Sequence, residues 1–224
     1  IIMKKLFLLI GLVVFLTPMV VSAENNFLDK FYYKKEQYLG CERGFSFRIL
    51  KKNILFSSLE GKNTSLNKRR IGYVFQTPTL FPHMNVLQNI RYGYDMTSTN
   101  RKRIDLDELI EIFQLSKLIK RSTKNLSGGE LQRVGIARSL ATSPDLLLMD
   151  EPIVSLDIKL KKIILDYLKI TWTQLQIPVL YVTHFIPDAI NISDKCLVIY
   201  RGKTIAFGKT EDILSDKNIL DLFE

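Results

Sequence analysis

The stretch Leu126-Ser127-Gly128-Gly129-Glu130-Leu131-Gln132-Arg133 decides the reading of this chain. A Gly-Gly pair follows Ser127, and Leu131, Val134, Ala137 and Leu140 then recur at helical spacing. The pattern predicts an amphipathic helix that opens at Ser127. Unpaired backbone N–H groups at a helix N-terminus, joined by a serine hydroxyl, favour an anion such as phosphate. Glycine lets the backbone approach that anion closely. A serine-capped helix with no ligand is the plainer alternative.

Toward the C-terminus, the apolar run Leu146-Leu147-Leu148-Met149 stops abruptly at Asp150-Glu151-Pro152. So short a run without polar alternation predicts a parallel strand buried on both faces. In such sheets ligands gather at the carboxyl ends of strands, where Asp150 and Glu151 fall. Adjacent carboxylates can divide labour, one holding Mg²⁺ through hard oxygen contacts and the other polarising a water. An acidic strand-to-loop transition without chemistry would look the same. A second apolar strand, Val179-Leu180-Tyr181-Val182, ends in Thr183-His184. A histidine at that place suits a phosphate sensor or a proton-linked contact.

In this order the elements resemble the nucleotide-binding subunit of ABC transporters. The resemblance makes Leu126 to Glu130 the signature motif, with Ser127, Gly128, Gly129 and Glu130 meeting nucleotide. It makes Asp150 the Mg²⁺ residue and Glu151 the catalytic base, places Asp157 (in Ser155-Leu156-Asp157) in a nucleotide-contacting loop, and makes His184 the switch histidine. Gln76, in Gly72-Tyr73-Val74-Phe75-Gln76, corresponds to the glutamine that contacts Mg²⁺ and the attacking water. Within the family, Arg69 to Gln76, Leu80-Phe81-Pro82-His83, Arg91-Tyr92-Gly93 and Ile177 to His184 are similar to molybdate importer ATPases. The implied cofactors are ATP and Mg²⁺. The implied partners are a membrane permease subunit and a second ATPase subunit, with no nucleic acid, and the implied location is the cytoplasmic face of the inner membrane.

The expected fold class is α/β: an incomplete P-loop NTPase (ABC ATPase) domain with a helical subdomain, preceded by an apolar N-terminal segment. The ATPase domain is expected over 53–224. Its helical subdomain falls at about 82–125, where Leu106, Leu109, Ile110, Phe113 and Leu118 share a face. Leu197 to Tyr200 and Thr204 to Phe207, joined by Arg201-Gly202-Lys203, predict a hairpin. A helical stretch over Ile213 to Phe223 closes the chain.

One expected motif does not occur. A phosphate-binding loop needs G-x-x-x-x-G-K-[S/T], so that backbone N–H groups wrap the phosphates while Lys bridges them. One partial match, Phe56-Ser57-Ser58-Leu59-Glu60-Gly61-Lys62-Asn63, lacks the first glycine and the hydroxyl, and places Glu60 in the cradle. It also sits only 14 residues before Gln76, counting from Lys62. The absence of the loop predicts impaired hydrolysis, with a non-hydrolysing partner that caps ATP, or a gene-fusion remnant, as alternatives.

The N-terminus points elsewhere. Met3-Lys4-Lys5 precedes an apolar run from Leu6 to Val21, and Val21-Ser22-Ala23 supplies small residues at its exit. That order predicts an export signal over 1–23, or else a membrane anchor. Residues 24–52 are left unassigned, although Tyr32, Tyr33 and Tyr38 offer rings for base stacking. Composition is ordinary for a globular chain of 224 residues, 46% hydrophobic and 25% charged. The net charge of +9 is spread over short basic runs without interleaved aromatics, the pattern of solvated faces rather than of nucleic-acid binding. Two distant cysteines, Cys41 and Cys196, form neither a metal cluster nor a disulfide framework.

Overall fold

The computed structural model describes residues 11–16, 46–49, 53–57, 62–65, 68–200 and 203–223. The chain divides into two compact units, one of Ile1–Thr17 with Ile71–Glu224 and the other of Pro18–Arg70. In the smaller unit β2 (Ser46–Ile49), β3 (Asn53–Ser57) and β4 (Lys62–Asn63) make a local antiparallel sheet in that order. Phe56 pairs with Asn63 and Ser57 with Lys62. The near-match to a phosphate loop therefore has its Lys in a hairpin strand, not at a helix N-terminus where N–H groups would converge on an anion.

The larger unit is built on a six-stranded sheet of order β5-β6-β7-β1-β8-β9. Its members are β1 (Gly11–Leu16), β5 (Ile71–Val74), β6 (Leu146–Asp150), β7 (Val179–Thr183), β8 (Lys195–Tyr200) and β9 (Lys203–Lys209). β5, β6 and β7 run parallel. β1 lies antiparallel to β7 on one side and to β8 on the other, with Leu12 opposite both Thr183 and Val198. Six residues of the segment read as an export signal or anchor thus form an interior strand; the rest of that segment, Cys41 and Tyr32, Tyr33 and Tyr38 lie outside the described residues. No helix among the described residues is long and apolar enough to cross a membrane.

The helices are α1 (Val86–Asp95), α2 (Leu106–Ile112), α3 (Gly128–Ala141), α4 (Ile158–Leu175), α5 (Ile186–Ile192), α6 (Thr210–Ile213) and α7 (Lys217–Leu220). The face expected over 82–125 is the observed one: Leu109, Phe113 and Leu118 are buried, and Leu106 and Ile110 pack against them. α1 opens on a reciprocal cap, Asn85 Oδ1 accepting from Gln88 N and Gln88 Oε1 from Asn85 N. Asn89, fully buried, donates to the carbonyls of Phe81, Met84 and Asn85 and accepts from Phe81 N, so one amide fixes the loop before the helix.

α3 departs from the amphipathic expectation. Its residues 132, 134–137 and 139–141 are all buried, leaving no broad solvent face. The helix is central because glycines let it sit close on both sides. A Cβ at Gly72 would come within 2.8 Å of Leu147 Cδ1 and 3.3 Å of the Ser139 carbonyl, and one at Gly93 within 2.3 Å of Thr142 Cγ2. β6 also differs from expectation, since Leu147 and Met149 are buried while Leu146 and Leu148 are half-buried. α3 covers the face carrying Gly72 and Leu147, and the alternate residues point away from it. The hairpin of β8 and β9 is as predicted, with a register shift at Val198/Ile199. The closing helix is two short ones, because Asp216 Oδ1 accepts from Asn218 N and starts a new turn there.

Candidate functional site

Three residues far apart in sequence meet at the carboxyl ends of β6 and β7. Glu151 follows β6, where its N–H donates to the Val182 carbonyl at 2.9 Å and extends the ladder by one bond. Its backbone then turns left-handed, with φ at +44°. That conformation costs a non-glycine residue about 1–3 kcal/mol, and it ends the strand at the place where both carboxylate oxygens are engaged. Gln76 Nε2 donates to Glu151 Oε2 at 2.8 Å. His184 Nδ1 bonds Glu151 Oε1. An ionised carboxylate can only accept, so the proton of that bond belongs on Nδ1 and the outward Nε2 of a neutral ring is left as an acceptor. The Glu151 side chain is 8% exposed and that of His184 56% exposed, so the carboxylate is sheltered while the imidazole faces solvent.

The Asp150 carboxyl group stands beside this group and makes no hydrogen bond among the described residues. Burial first, and the neighbouring Glu151 charge second, hold its carboxyl above the ordinary aspartate range. Tyr73, across the strand pair, is raised by its own burial and then by Asp150. A half-buried carboxylate that no protein donor occupies is a fitting single oxygen ligand for Mg²⁺, which keeps several waters and usually takes only one or two carboxylates. Among the described residues there is no cluster of three or more His, Cys, Asp or Glu that would cage a metal outright.

The signature residues form a second locus at the start of α3. Ser127 Oγ accepts from Glu130 N at 3.3 Å, and Glu130 Oε2 accepts from Ser127 N at 2.7 Å. The Ser127 backbone donor is also the main reason that the Glu130 carboxyl lies below its usual range. This capping box engages the N–H groups of residues 127 and 130. Gly128 and Gly129 come between. A Cβ at Gly128 would meet nothing within 4 Å, whereas one at Gly129 would lie 3.2 Å from the Ser155 carbonyl. The start of α3 thus abuts the Ser155-Leu156 segment, and Asp157 is next in line. Asp157 Oδ1 accepts from Leu160 N at 3.0 Å, which makes it the cap of α4. Among the described residues, no hydrogen bond joins Ser127 to Glu130 with Gln76, Glu151 or His184.

Two features were not legible in the sequence. The Glu151–His184 and Glu151–Gln76 bonds need a register between three separate segments, and a left-handed glutamate leaves no sequence mark. Gln132 is the second omission: it looks like any polar helix residue yet is 1% exposed, and its Nε2 donates to the Phe75 carbonyl at 3.3 Å.

Residues 48–154 match the family described as ABC transporter. The chain carries an ABC transporter domain. The molybdenum import ATP-binding protein ModC of Albidiferax ferrireducens is 40% identical over 158 residues, 70% of this chain and 43% of that protein. ModC of Bordetella pertussis is 42% identical over 149 residues, 66% of this chain and 40% of its own. The chain spans less than half the length of these curated relatives. Among solved structures, a dimeric ATP-binding cassette in a post-hydrolysis state, bound to ADP and Pi, aligns with 65% of each chain at 28% identity and a TM-score of 0.57. A metal-chelate type ABC transporter in an inward-facing conformation aligns with 69% of this chain and 63% of its own, at 29% identity and a TM-score of 0.56. These likenesses accord with the α/β expectation and with a parallel core sheet in the ABC domain.

Proposed function

We propose that this chain is the ATP-binding subunit of an ABC importer, for molybdate or a related oxyanion, acting at the cytoplasmic face of a membrane beside a permease subunit and a second ATPase subunit. The observation that carries the reading is the meeting of Gln76, Glu151 and His184. The substrate rests on the likeness to molybdenum importers. Glu151 is the base: two of its about four acceptor positions hold Gln76 and His184, and the others are left to accept a proton from water. Gln76 and His184 fix its direction. Asp150 would hold Mg²⁺, which when bound neutralises phosphate charge. The N–H groups of Gly128 and Gly129 would face ATP phosphates.

Turnover by this chain alone is impaired in this reading, because its 224 residues contain no G-x-x-x-x-G-K-[S/T] run. The test is ATP hydrolysis by the purified chain, alone and mixed with an importer ATPase subunit that has such a loop. Alone, the chain turns over at background, and Glu151→Gln leaves that rate unchanged. Turnover by the chain alone that Glu151→Gln cuts by about 10²-fold or more would refute impairment. Failure to associate with either an ATPase or a permease subunit would refute the importer assignment.

A second reading is favoured by the open space at Gly128. There the chain caps ATP held by another subunit through Ser127, Gly128 and Gly129, and its own Glu151 is idle. Hydrolysis by the mixed complex would then depend on Gly128 and not on Glu151.

A further inference from the structure

Three side chains of α3 hold three carbonyls that bracket Gln76. Ser139 Oγ donates to Tyr73 O at 3.0 Å, Gln132 Nε2 to Phe75 O at 3.3 Å, and Arg138 Nη2 to Thr79 O at 2.7 Å. Gly135, between them, presents a bare face to Pro78, whose Cβ would lie 3.7 Å from an added Cβ. The helix that begins at the signature residues therefore grips the whole segment 73–79.

Within this grip Gln132 is the part that the core does not require. It is 1% exposed, and its Oε1 takes no hydrogen bond from the described residues. A methionine of similar size would fill the same space without burying an amide oxygen, and unpaired buried polar atoms are costly. What the amide adds is its bond to the Phe75 carbonyl, the group immediately before Gln76. That carbonyl sets the plane of the 75–76 peptide and hence the direction in which the Gln76 side chain leaves the backbone. Residues 75, 76 and 77 are exposed, and the Phe75 ring makes a tilted contact with that of Tyr73 at 4.2 Å.

We infer that Gln132 is a positioning residue: by fixing the Phe75 carbonyl from α3 it aims Gln76 at Glu151. The inference rests on Gln76 and Glu151 being site residues. It also ties the signature helix to the site through one side-chain bond, so that a displacement of α3 reaches Gln76 directly.

The test is a ¹⁵N–¹H spectrum of the full chain, with the Gln76 side-chain amide assigned by its loss in Gln76→Ala. In Glu151→Ala those cross-peaks move to the region of exposed glutamines. Gln132→Met moves them to the same region while the melting midpoint holds or rises, a pairing that a merely structural residue would not give. Unmoved Gln76 cross-peaks in Gln132→Met, with a response to Glu151→Ala, overturn the proposal alone. No response to Glu151→Ala overturns the site reading and this inference with it. If Gln132→Met does not fold, the wild-type chain decides: the Gln132 side-chain amide exchanges at least about tenfold more slowly than that of exposed Gln174, and equal rates overturn the proposal.

Discussion

Replacing Gly128 by alanine separates what the fold needs from what a ligand needs. The added methyl group meets nothing within 4 Å, so no neighbour has to move. Gly128 is the first residue of α3, directly after the Ser127 cap. Glycine within a helix costs about 0.5–1 kcal/mol against alanine, and a first-turn position takes the lower end, about 0.5 kcal/mol. For a chain of this size that gain raises the melting midpoint by about 1–2 °C. Gly129→Ala is the matched control. Its methyl would lie 3.2 Å from the Ser155 carbonyl and 3.4 Å from Leu156 Cδ2, so the Ser155 backbone must give by a few tenths of an ångström and the midpoint lies below that of Gly128→Ala. The assay pairs a thermal melt with equilibrium binding of a fluorescent ATP analogue, in the presence of an ATPase subunit that carries a phosphate-binding loop. A phosphate drawn to the Gly128 N–H cannot come as close once the methyl is present, and affinity drops about tenfold, or 1.4 kcal/mol. A lower midpoint for Gly128→Ala would refute the open geometry. Unchanged analogue binding would refute the assignment of this helix end to phosphate.

Asn89→Ala removes four hydrogen bonds that hold residues 81–85, and urea denaturation should show a loss of about 2–4 kcal/mol; a loss below about 1 kcal/mol would show that the loop holds without it. The raised carboxyl of Asp150 makes the folded state bind its proton more tightly than the unfolded state, so its contribution to stability falls as pH rises from the ordinary aspartate value through the higher folded one. Asp150→Asn should therefore be the more stable protein at pH 7, with the difference vanishing in acid; equal melting midpoints at pH 7 would contradict the assigned burial. Burial pushes the Cys196 thiol up to about 11, so in a Cys41→Ser background it should resist thiol reagents at pH 8 until the chain unfolds. Rapid native-state labelling would count against its burial.

Local patterns carried much of the fold. The apolar runs at Leu146 and Val179 are the parallel strands β6 and β7, because an uninterrupted apolar run leaves few alternatives to a buried strand. Leu109 and Phe113 are core residues because helical spacing put them on one face. What stayed hidden depends on partners distant in sequence. Nothing near Leu12 foretells pairing with Thr183, and a run that suits an export signal suits an interior strand equally well. α3 reads as amphipathic because Gln132 and Ser139 are polar, and only their bonds to the Phe75 and Tyr73 carbonyls explain how polar groups sit inside. For the candidate site, order along the chain marked Gln76, Glu151 and His184 through a likeness to relatives. Their hydrogen bonds follow from strand register and from the turn at Glu151, which no motif encodes.

The place of β1 has a consequence for how the protein is made. About 170 residues separate Leu12 from Thr183, its partner across the ladder, a separation that makes folding slow because the loop must close before the contacts reward it. A ribosome adding about 5–20 residues per second needs on the order of ten to thirty seconds to deliver β7 after β1 has emerged. Through that interval an apolar stretch waits without its ladder partner, open to any cellular factor that recognises such stretches. Docking of β1 between β7 and β8 ends the wait, so the fate of the chain is a race between capture at the ribosome and completion of the sheet.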